Sequence, residues 1–330
     1  MNKDRLKIFT WHIHGTYLYY LSQGNYDIFI PVDTDKSEGY YGRGETFPFG
    51  DNVHEIQVEK IKSATFDCIL FQTNKNYLFD QYEILSEEQR KLPRIYVEHD
   101  SPPKSACEQK HIMTDPNVLM VHVTHFNKLM WSNDSGGAAT VIDHGIIVPP
   151  HIYNGGLEKG IVIVNHLHQR GRKLGADVFE KVSKEIPLDL VGMGTKEYGG
   201  LGEVLHPQMP DFISQYRFCF NPIRWTSLGL AVLEAMGTGL PVVALATTEY
   251  TTVIKNGCNG FIHTDIDYLI EKMKVLLADT SLAKKMGDEA RKTVETKFNI
   301  NRFVADWERI FKLAIEKNKL TYEKENSIYQ

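Results

Sequence analysis

Short apolar runs alternate with mixed polar stretches along the first half of the chain, and each run is rich in β-branched or aromatic residues. Continuous runs of this kind are typical of strands buried on both faces of a parallel sheet. The runs are LKIFTWHI near residue 6, DIFIPV near 27, FDCILF near 66, RIYVEH near 94 and VLMVHV near 118. Because polar or helix-like sequence follows each run, the first half is predicted to be a doubly wound α/β domain.

A second strand–helix series begins after a proline- and glycine-rich stretch, where residues 145–156 are predicted to hold the domain boundary. Its strand-like runs are GIVIVNHL, PLDLVGMG, FCFNPI, LPVVALA and GFIHT. From Ile266 to Lys319 the pattern becomes mostly helical, and apolar residues between Phe303 and Ala314 are spaced for one buried face. The predicted organisation is a Rossmann-like domain over residues 1–150, a second over 151–302, and a helix with a polar tail over 303–330.

One stretch in the first half departs from this alternation. Residues Asp33–Asn52 read DTDKSEGYYGRGETFPFGDN, with four glycines, many charges and no hydrophobic period. Loops longer than about 12–15 residues are usually functional or mobile. We therefore predict a long loop here and expect it to contribute to the choice of substrate.

Composition narrows the class of protein further. The 330 residues are 42% hydrophobic and 24% charged, as in a soluble globular protein of two domains. The net charge of −5 gives no reason to expect nucleic acid as a partner. No apolar run reaches the roughly 18 residues of a membrane span, and the first residues lack the apolar core and cleavage site of a secretory signal, so we expect neither feature. The four cysteines are scattered and lack CxxC spacing, so we expect reduced thiols in a cytoplasmic protein.

The segment 221–245, NPIRWTSLGLAVLEAMGTGLPVVAL, carries the most specific chemistry. A helix is predicted to start near Gly229, and its interior is apolar except for Glu234, whose carboxylate needs hydrogen-bond donors if it is buried. The free amides at a helix start form an anion site suited to a diphosphate, and seven residues place Glu234 on the same face as that start. The predicted phosphate contacts are Ser227, Leu228, Gly229 and Leu230. Glu234 would then accept hydrogen bonds from a ribose; the alternative is a structural carboxylate bonded to backbone or to an arginine.

These residues resemble the donor-binding motif of family 4 glycosyltransferases, which are retaining enzymes of the GT-B fold. The matching residues are Glu234, Ala235, Met236, Gly239, Pro241, Val242 and Val243. The family's first motif glutamate falls at position 226, where this chain has Thr226. The resemblance implies two Rossmann-like domains that face each other across a cleft, and it gives Thr226 the role of a catalytic-site donor contact without a carboxylate.

The resemblance extends to further donor-site residues in the second half. GIVIVNHLHQRGRKLGADVFEKV looks like the family's first strand and helix of the nucleotide domain, where basic residues clamp the donor phosphates. That role carries over to Arg170, Arg172 and Lys173, since guanidinium groups bind phosphate bidentately. A solvated basic turn is the alternative. The run PLDLVGMG matches a glycine-rich strand end and adds Gly192 to the donor site.

In the first half, RIYVEHDSPP resembles the family's strand that ends in His-Asp, whose histidine faces the acceptor and the donor sugar. This carries over to His99 as a catalytic residue; a strand-end histidine satisfied locally is the alternative. TWHIHGT lies where the family has a glycine loop near the diphosphate, which implies donor contacts from Gly15 and Thr16. The resemblance also implies that the C-terminal helix crosses back to the first domain.

The sequence therefore predicts a glycosyltransferase that moves a sugar from a nucleotide diphosphate, UDP- or GDP-linked, to a glycan or lipid-linked acceptor. No metal or other cofactor is expected, because the paired histidines lack acidic or cysteine partners at metal-site spacing. A peripheral contact with the inner face of a membrane and a role in polysaccharide biosynthesis are further expectations, and the oligomeric state stays open. Two alternatives remain: a catalytically idle nucleotide-sugar-binding homologue or partner subunit, and a nucleotide-sugar epimerase.

Overall fold

The computed structural model describes residues 5–132, 139–150 and 152–328, with side chains described to residue 320. The chain forms two compact units. One comprises the residues up to Gly145 together with the C-terminal segment from Ile300, and the other comprises Ile146–Asn299. The C-terminal helix is thus part of the first unit.

The first unit is built on a parallel sheet of seven strands in the order β3-β2-β1-β4-β5-β6-β7. The strands are β1 (Leu6–Thr10), β2 (Tyr26–Val32), β3 (Val53–Gln57), β4 (Cys68–Phe71), β5 (Arg94–Glu98), β6 (Val118–His122) and β7 (Ala139–Val141). The helices between them are α1 (Gly15–Leu21), α2 (Val58–Ile61), α3 (Gln81–Ile84), which continues a π-helical turn at Asn76–Asp80, α4 (Glu87–Arg90) and α5 (His125–Met130). All five runs that the sequence predicts as strands are strands, while β3 and β7 were not predicted.

The segment between β2 and β3 is a long loop, as predicted, and several contacts hold it. His12, which follows β1, pairs with Gly39 in an isolated antiparallel bridge. The Nδ1 atom of the same histidine lies 2.6 Å from the carbonyl oxygen of Gly42, and its ring packs edge-on against Phe49 with centroids 5.3 Å apart, a separation typical of aromatic pairs. The loop Asp33–Asn52 is therefore fixed to the carboxyl end of β1.

The second unit is built on a parallel sheet of five strands in the order β12-β11-β10-β8-β9. The strands are β8 (Leu157–Ile163), β9 (Leu188–Val191), β10 (Tyr216–Asn221), β11 (Val242–Leu245) and β12 (Gly260–His263). The helices are α6 (Ala176–Val182), α7 (Met209–Ile213), α8 (Leu230–Thr238), α9 (Tyr250–Val253), α10 (Ile266–Ala278) and α11 (Thr280–Lys297), with 3₁₀ turns at Gly171–Leu174, Lys196–Tyr198 and His206–Gln208. Two parallel sheets confirm the predicted α/β class, and the loops after β8, β9 and β10 meet at one edge of the second sheet.

The last helix, α12 (Ile300–Ile328), buries one face within the first unit. Its buried residues are Phe303, Trp307, Ile310, Phe311 and Ala314, which is the face that the sequence predicts. The indole Nε1 of Trp307 donates a hydrogen bond of 3.0 Å to the hydroxyl of Tyr17 in α1. Within the described ranges, no helix combines the length and apolar character that a membrane span needs.

A glycine in α11 allows a close helix contact, and this gives a test of the second unit's packing. A Cβ atom at Gly287 would lie 1.9 Å from the carbonyl oxygen of Gly239, the residue that ends α8. Alanine is the better helix former by about 1 kcal/mol, but relieving this clash requires the backbone to move. We expect Gly287→Ala to lower the free energy of unfolding by about 1–3 kcal/mol, measured by urea denaturation.

The matched control is Gly237→Ala in α8. A Cβ atom there would meet the Cδ1 atom of Ile146 at 3.0 Å, and this is the end of a flexible side chain rather than backbone. Little change in stability is expected for the control. Equal stability of Gly287→Ala and the unaltered protein would contradict the packing described here.

Candidate functional site

The start of α8 is the centre of the predicted donor site. Helix α8 begins at Leu230, and Gly229 precedes it in an extended conformation. Among the described residues, nothing accepts a hydrogen bond from the backbone N–H of Leu230 or Ala231, as expected for the first turn of a helix. The N–H of Gly229, however, donates to the hydroxyl of Tyr250 at 3.1 Å. The expectation that the whole stretch from Ser227 to Leu230 offers open amides is wrong at Gly229, because a tyrosine of α9 already occupies that donor.

The loop before α8 is also held from the α9 side. The hydroxyl of Thr248 donates to the carbonyl oxygen of Ser227 at 3.2 Å, and Thr248 has a left-handed backbone with φ of 49°. Such a conformation is unusual for threonine and persists only where the surroundings enforce it. Ser227 and Leu228 are buried, while Thr226 beside them is half-buried. The helix start is thus a rigid feature, supported by the turn that follows β11.

Glu234 has a partner that the sequence did not indicate. Its Oε1 atom lies 2.9 Å from Nε2 of His206, which opens the 3₁₀ turn His206–Gln208 after β9. The two side chains are 17% and 19% exposed, so the pair is shielded from water but reachable from outside. An imidazole is therefore one hydrogen-bond partner of the carboxylate in the helix interior.

The basic turn after β8 is tied to the loop before α8. Arg172 lies in the 3₁₀ turn Gly171–Leu174, is 77% exposed and pairs with Asp177 at 2.6 Å. Arg224 donates to the same carboxylate at 2.8 Å, and its backbone N–H donates to the carbonyl oxygen of Lys173 at 3.1 Å. The hydrogen bond from Arg224 holds the pKa of Asp177 below its usual value. Arg224, which the sequence analysis did not single out, thus joins two of the predicted donor segments.

Arg170 differs from Arg172 in its contacts. Its side chain is exposed and has no hydrogen-bond or ion-pair partner among the described residues. An exposed ion pair such as Arg172–Asp177 contributes roughly 0–1 kcal/mol, so little free energy is needed to separate Arg172 from Asp177. The guanidinium groups of Arg170 and Arg172 can therefore both bind an anion.

Gly192 shapes the edge of the second sheet. It has φ of 140°, and a Cβ atom on it would lie 2.7 Å from the carbonyl oxygen of Val164 and 2.8 Å from Oδ1 of Asn165. Glycine therefore lets the ends of β8 and β9 approach closely. His166 continues this contact, since its N–H donates to the carbonyl oxygen of Met193 at 2.8 Å.

His99 lies in the first unit, directly after β5, and is buried. Its ring packs against that of His14 with centroids 3.9 Å apart and the planes tilted by 34°, and it packs edge-on against Tyr17 at 4.6 Å. Its Nε2 atom has no hydrogen-bond partner among the described residues. Burial holds the pKa of His99 well below its usual range, so the imidazole is neutral near pH 7.

The turn that carries His99 is fixed on both sides. One carboxylate oxygen of Glu98 accepts a hydrogen bond of 2.8 Å from the N–H of Asp100, and the other lies 2.8 Å from Nε2 of His111. The indole of Trp131 donates to the carbonyl oxygen of Asp100 at 2.8 Å. Burial raises the pKa of Glu98, and the hydrogen bond from His111 opposes that rise.

Gly15 and Thr16 open α1 directly after His14, whose ring packs against His99. A Cβ atom at Gly15 would lie 2.3 Å from Cε2 of Phe47, a residue of the long loop, so a larger side chain would displace that ring. Thr16 is half-buried at the next position. The first unit thus brings Gly15 and Thr16 together with His99, and the second unit brings together the basic turn, the start of α8 and Glu234.

The buried histidine predicts a pH dependence of stability. The lowered pKa of His99 means that the folded chain binds fewer protons than the unfolded chain between that pKa and the ordinary value of 6.5. The stabilisation is present above pH 6.5 and is lost as the pH falls below it. We expect the urea midpoint of the unaltered protein to fall between pH 7.5 and 5.5, and His99→Gln to show a shallower fall.

Burial also lowers the pKa values of His12 and His14, so some slope should remain in that variant. His125→Ala is the control, because His125 is exposed. An unchanged slope in His99→Gln would contradict this assignment.

No group of three or more histidine, cysteine, aspartate or glutamate side chains is placed to hold a metal ion within the part of the chain that the structure describes. The carboxylate of Glu234 contacts the imidazole of His206, and the ring of the buried His99 packs against that of His14. The expectation that the protein needs no metal stays a prediction.

Solved structures establish the fold class. The chain aligns with sucrose-phosphate synthase from Thermosynechococcus elongatus over 94% of its own length and 99% of that chain, with 15% identity and a TM-score of 0.68. It aligns with HepE from Anabaena, solved in complex with UDP-glucose, over 93% of its length and 100% of that chain, with 13% identity and a TM-score of 0.65. The two Rossmann-like parallel-sheet units are those of the GT-B class, as the resemblance implied.

A match to a glycosyltransferase family model falls in the second unit. The family model described as "Glycosyl transferases group 1" matches residues 158–279. N-acetyl-alpha-D-glucosaminyl L-malate synthase from Bacillus anthracis is 31% identical over 87 residues, which are 26% of this chain and 23% of that protein. The matches span between 18% and 64% of the length of the curated relatives. The family match contains β8, the basic turn and α8.

Proposed function

We propose that the protein is a glycosyltransferase that moves a sugar from a nucleotide diphosphate donor to an acceptor hydroxyl, with retention of configuration at the anomeric carbon. The observation that carries the proposal is the start of α8, where unpaired amides, a basic turn and the half-buried Glu234 belong to one edge of one sheet. This arrangement suits a nucleoside diphosphate, and it lies within the residues that the family model matches. A uridine donor is supported by the likeness to HepE, which binds UDP-glucose.

In the proposed site, the second unit stabilises the leaving group. The amides of Leu230 and Ala231 and the side chains of Arg170 and Arg172 would hold the diphosphate as its negative charge grows. Lys173 would add a further positive charge. Glu234 would accept hydrogen bonds from the ribose hydroxyls, and Gly192 would keep the neighbouring strand end close.

In the first unit, His99 would orient the acceptor and the donor sugar. A neutral imidazole suits this role, because its Nε2 atom is available for a hydrogen bond with a hydroxyl. Gly15 and Thr16 would contact the donor at the start of α1. Thr226 replaces the carboxylate of the family motif, which fits a same-face displacement without a protein nucleophile: the bond from the anomeric carbon to the diphosphate oxygen breaks, the bond to the acceptor oxygen forms, and the acceptor proton passes to the diphosphate.

The acceptor in this proposal is a glycan or a lipid-linked glycan of a surface polysaccharide or glycolipid pathway. A cytoplasmic site of action fits the four free cysteines, two of which, Cys107 and Cys258, are exposed. Peripheral contact with the inner face of a membrane belongs to the same proposal. A second candidate is a catalytically idle nucleotide-sugar-binding homologue, and Thr226 in place of a glutamate is the observation that favours it.

The experiment follows nucleoside diphosphate release and product stereochemistry together. The purified protein is incubated with UDP-glucose, UDP-N-acetylglucosamine or GDP-mannose and a panel of glycan acceptors, and the anomeric proton of the product is read by NMR. We expect acceptor-dependent release and an anomeric configuration equal to that of the donor. An inverted product would contradict retention, donor binding without release would favour the idle homologue, and a rearranged sugar formed without acceptor would indicate an epimerase.

A further inference from the structure

The turn that follows β11 contacts the loop before α8 through its side chains. The hydroxyl of Thr247 donates to the carbonyl oxygen of Ile223 at 3.1 Å, at the beginning of that loop. The hydroxyl of Thr248 donates to the carbonyl oxygen of Ser227 at 3.2 Å, near its end. Thr248 makes this contact from a left-handed backbone with φ of 49°, which is a strained conformation for a β-branched residue.

The last residue before α8, Gly229, is held at both of its backbone polar groups. Its N–H donates to the hydroxyl of Tyr250 at 3.1 Å, and its carbonyl oxygen accepts from the N–H of Val232 at 3.1 Å. Glycine has the widest choice of backbone dihedral angles, so without these bonds the loop would rotate most easily at this residue. Because Gly229 is fixed, the N–H groups of Leu230 and Ala231 that follow it keep one direction.

A tyrosine hydroxyl is well suited to this contact. Tyr250 is fully buried, and burial raises its pKa to about 12, so the hydroxyl is uncharged at neutral pH. A neutral acceptor fixes the N–H of Gly229 without repelling an anion at the helix start, as a carboxylate in the same place would. A Cβ atom at Gly229 would lie 3.1 Å from the hydroxyl oxygen, so the contact also depends on glycine.

We propose that Tyr250 and Thr248 are positioning residues for the donor diphosphate: their hydroxyls hold the loop before α8 so that the N–H groups of Leu230 and Ala231 are directed at the phosphate oxygens before the nucleotide binds. This inference rests on the proposed function, in which those two amides bind the diphosphate. Its physical basis is pre-organisation, because donors that are already fixed lose little conformational freedom on binding. Tyr250 is buried and acts through the backbone of α8, without touching the ligand.

The test separates the phosphate part of the ligand from the nucleoside part. Binding of UDP and pyrophosphate is measured by calorimetric titration and binding of uridine by displacement of UDP, or with the matching guanosine or adenosine set if that base binds. We expect Tyr250→Phe, which removes only the hydroxyl, to weaken UDP and pyrophosphate binding by the same factor of about five to ten. The affinity for uridine should stay unchanged, because uridine makes no contact with the amides.

Variants of Thr248 separate positioning from stability. Thr248→Ser keeps the hydroxyl and should bind UDP as the unaltered protein does. Thr248→Gly removes the hydroxyl but relieves the left-handed strain, so we expect UDP binding to weaken about threefold while the melting temperature stays close to that of the unaltered protein. Normal UDP affinity in Thr248→Gly would leave Thr248 a structural role only.

Tyr216→Phe is the matched control. Tyr216 is also buried in the second unit, but its hydroxyl donates to Oδ2 of Asp189 at 2.9 Å from the first residue of β10, at the opposite edge of the sheet. The control should bind UDP, pyrophosphate and uridine as the unaltered protein does.

Equal losses for UDP and uridine in Tyr250→Phe would overturn the inference, because the hydroxyl would then act on the whole site. Unchanged UDP affinity would overturn it as well, and tighter binding would show that the phosphate gains from a released Gly229 amide. Failure of the proposed function is distinguishable: there, the unaltered protein binds no nucleoside diphosphate or binds uridine as tightly as UDP. If Tyr250→Phe does not fold, the comparison of the serine and glycine variants of Thr248 gives the decision.

Discussion

Replacing Trp307 by alanine is expected to lower the free energy of unfolding by about 3–5 kcal/mol, because it empties a fully buried site between α12 and α1. The indole packs on Phe311 with ring centroids 5.3 Å apart and donates a hydrogen bond to Tyr17. Alanine removes the packing and leaves the buried hydroxyl of Tyr17 without that donor. Urea denaturation followed by circular dichroism measures the loss.

Two further variants separate packing from hydrogen bonding at Trp307. Trp307→Phe keeps most of the buried surface and loses only the donor, so an intermediate loss of stability is expected. Leu313→Ala alters a residue of the same helix that is 47% exposed, and its effect should stay within about 0.5 kcal/mol. If Trp307→Ala were as stable as Leu313→Ala, α12 would not pack in the first unit as described.

Replacing Glu234 by alanine is expected to weaken nucleoside diphosphate binding by at least about 100-fold. A hydrogen bond to a charged group contributes about 1.5–3 kcal/mol, and a carboxylate that receives two ribose hydroxyls loses both bonds on truncation. Glu234→Gln keeps one acceptor oxygen and should lose less. Isothermal titration with UDP, GDP and ADP measures the change.

The control for Glu234 is Glu185→Ala. Glu185 also pairs with a basic side chain in the second unit, but it precedes β9 and therefore lies at the opposite edge of the sheet from the predicted site. Its replacement should leave nucleotide affinity unchanged. Equal affinity of Glu234→Ala and Glu185→Ala would remove Glu234 from the donor site.

The strands that the sequence predicts are those formed by continuous apolar runs. Strands β4 and β5 are buried at nearly every residue, so their continuous apolar runs already indicate a parallel sheet covered on both faces. Strand β3 was missed because it lies at the sheet edge, directly after the irregular loop, and after the buried Val53 it alternates between half-buried and exposed residues. An edge strand buries one face only, and five residues are too few for that alternation to stand out.

The candidate site was predictable where one residue's environment is set by its own helix. Glu234 is conspicuous in sequence because a carboxylate within an apolar helix requires a partner, but the identity of that partner depends on tertiary structure. His206 lies 28 positions away and Arg224 contacts Asp177 across 47 positions. Neither contact leaves a local pattern, and neither does the hydrogen bond of Tyr250 to the amide of Gly229.

The role of Arg224 shows that the charge of a short segment, counted from the sequence alone, can mislead. Read alone, the sequence RGRK presents three positive charges near one strand end. The structure adds Asp177, which partly neutralises this turn, and Arg224, which restores a positive charge and fixes the loop before α8. The balance of charge at the predicted phosphate site is thus a property of the folded unit.

The proposed function depends on the binding of a nucleoside diphosphate by the second unit, at the start of α8. The most direct test is the melting temperature of the purified protein in the presence of UDP, GDP or ADP, each at several concentrations. A ligand that binds only the folded state raises the midpoint in a concentration-dependent way. We expect such a rise with one of the three diphosphates, with UDP first, whereas no rise with any of them up to millimolar concentration would contradict nucleoside diphosphate binding by this protein.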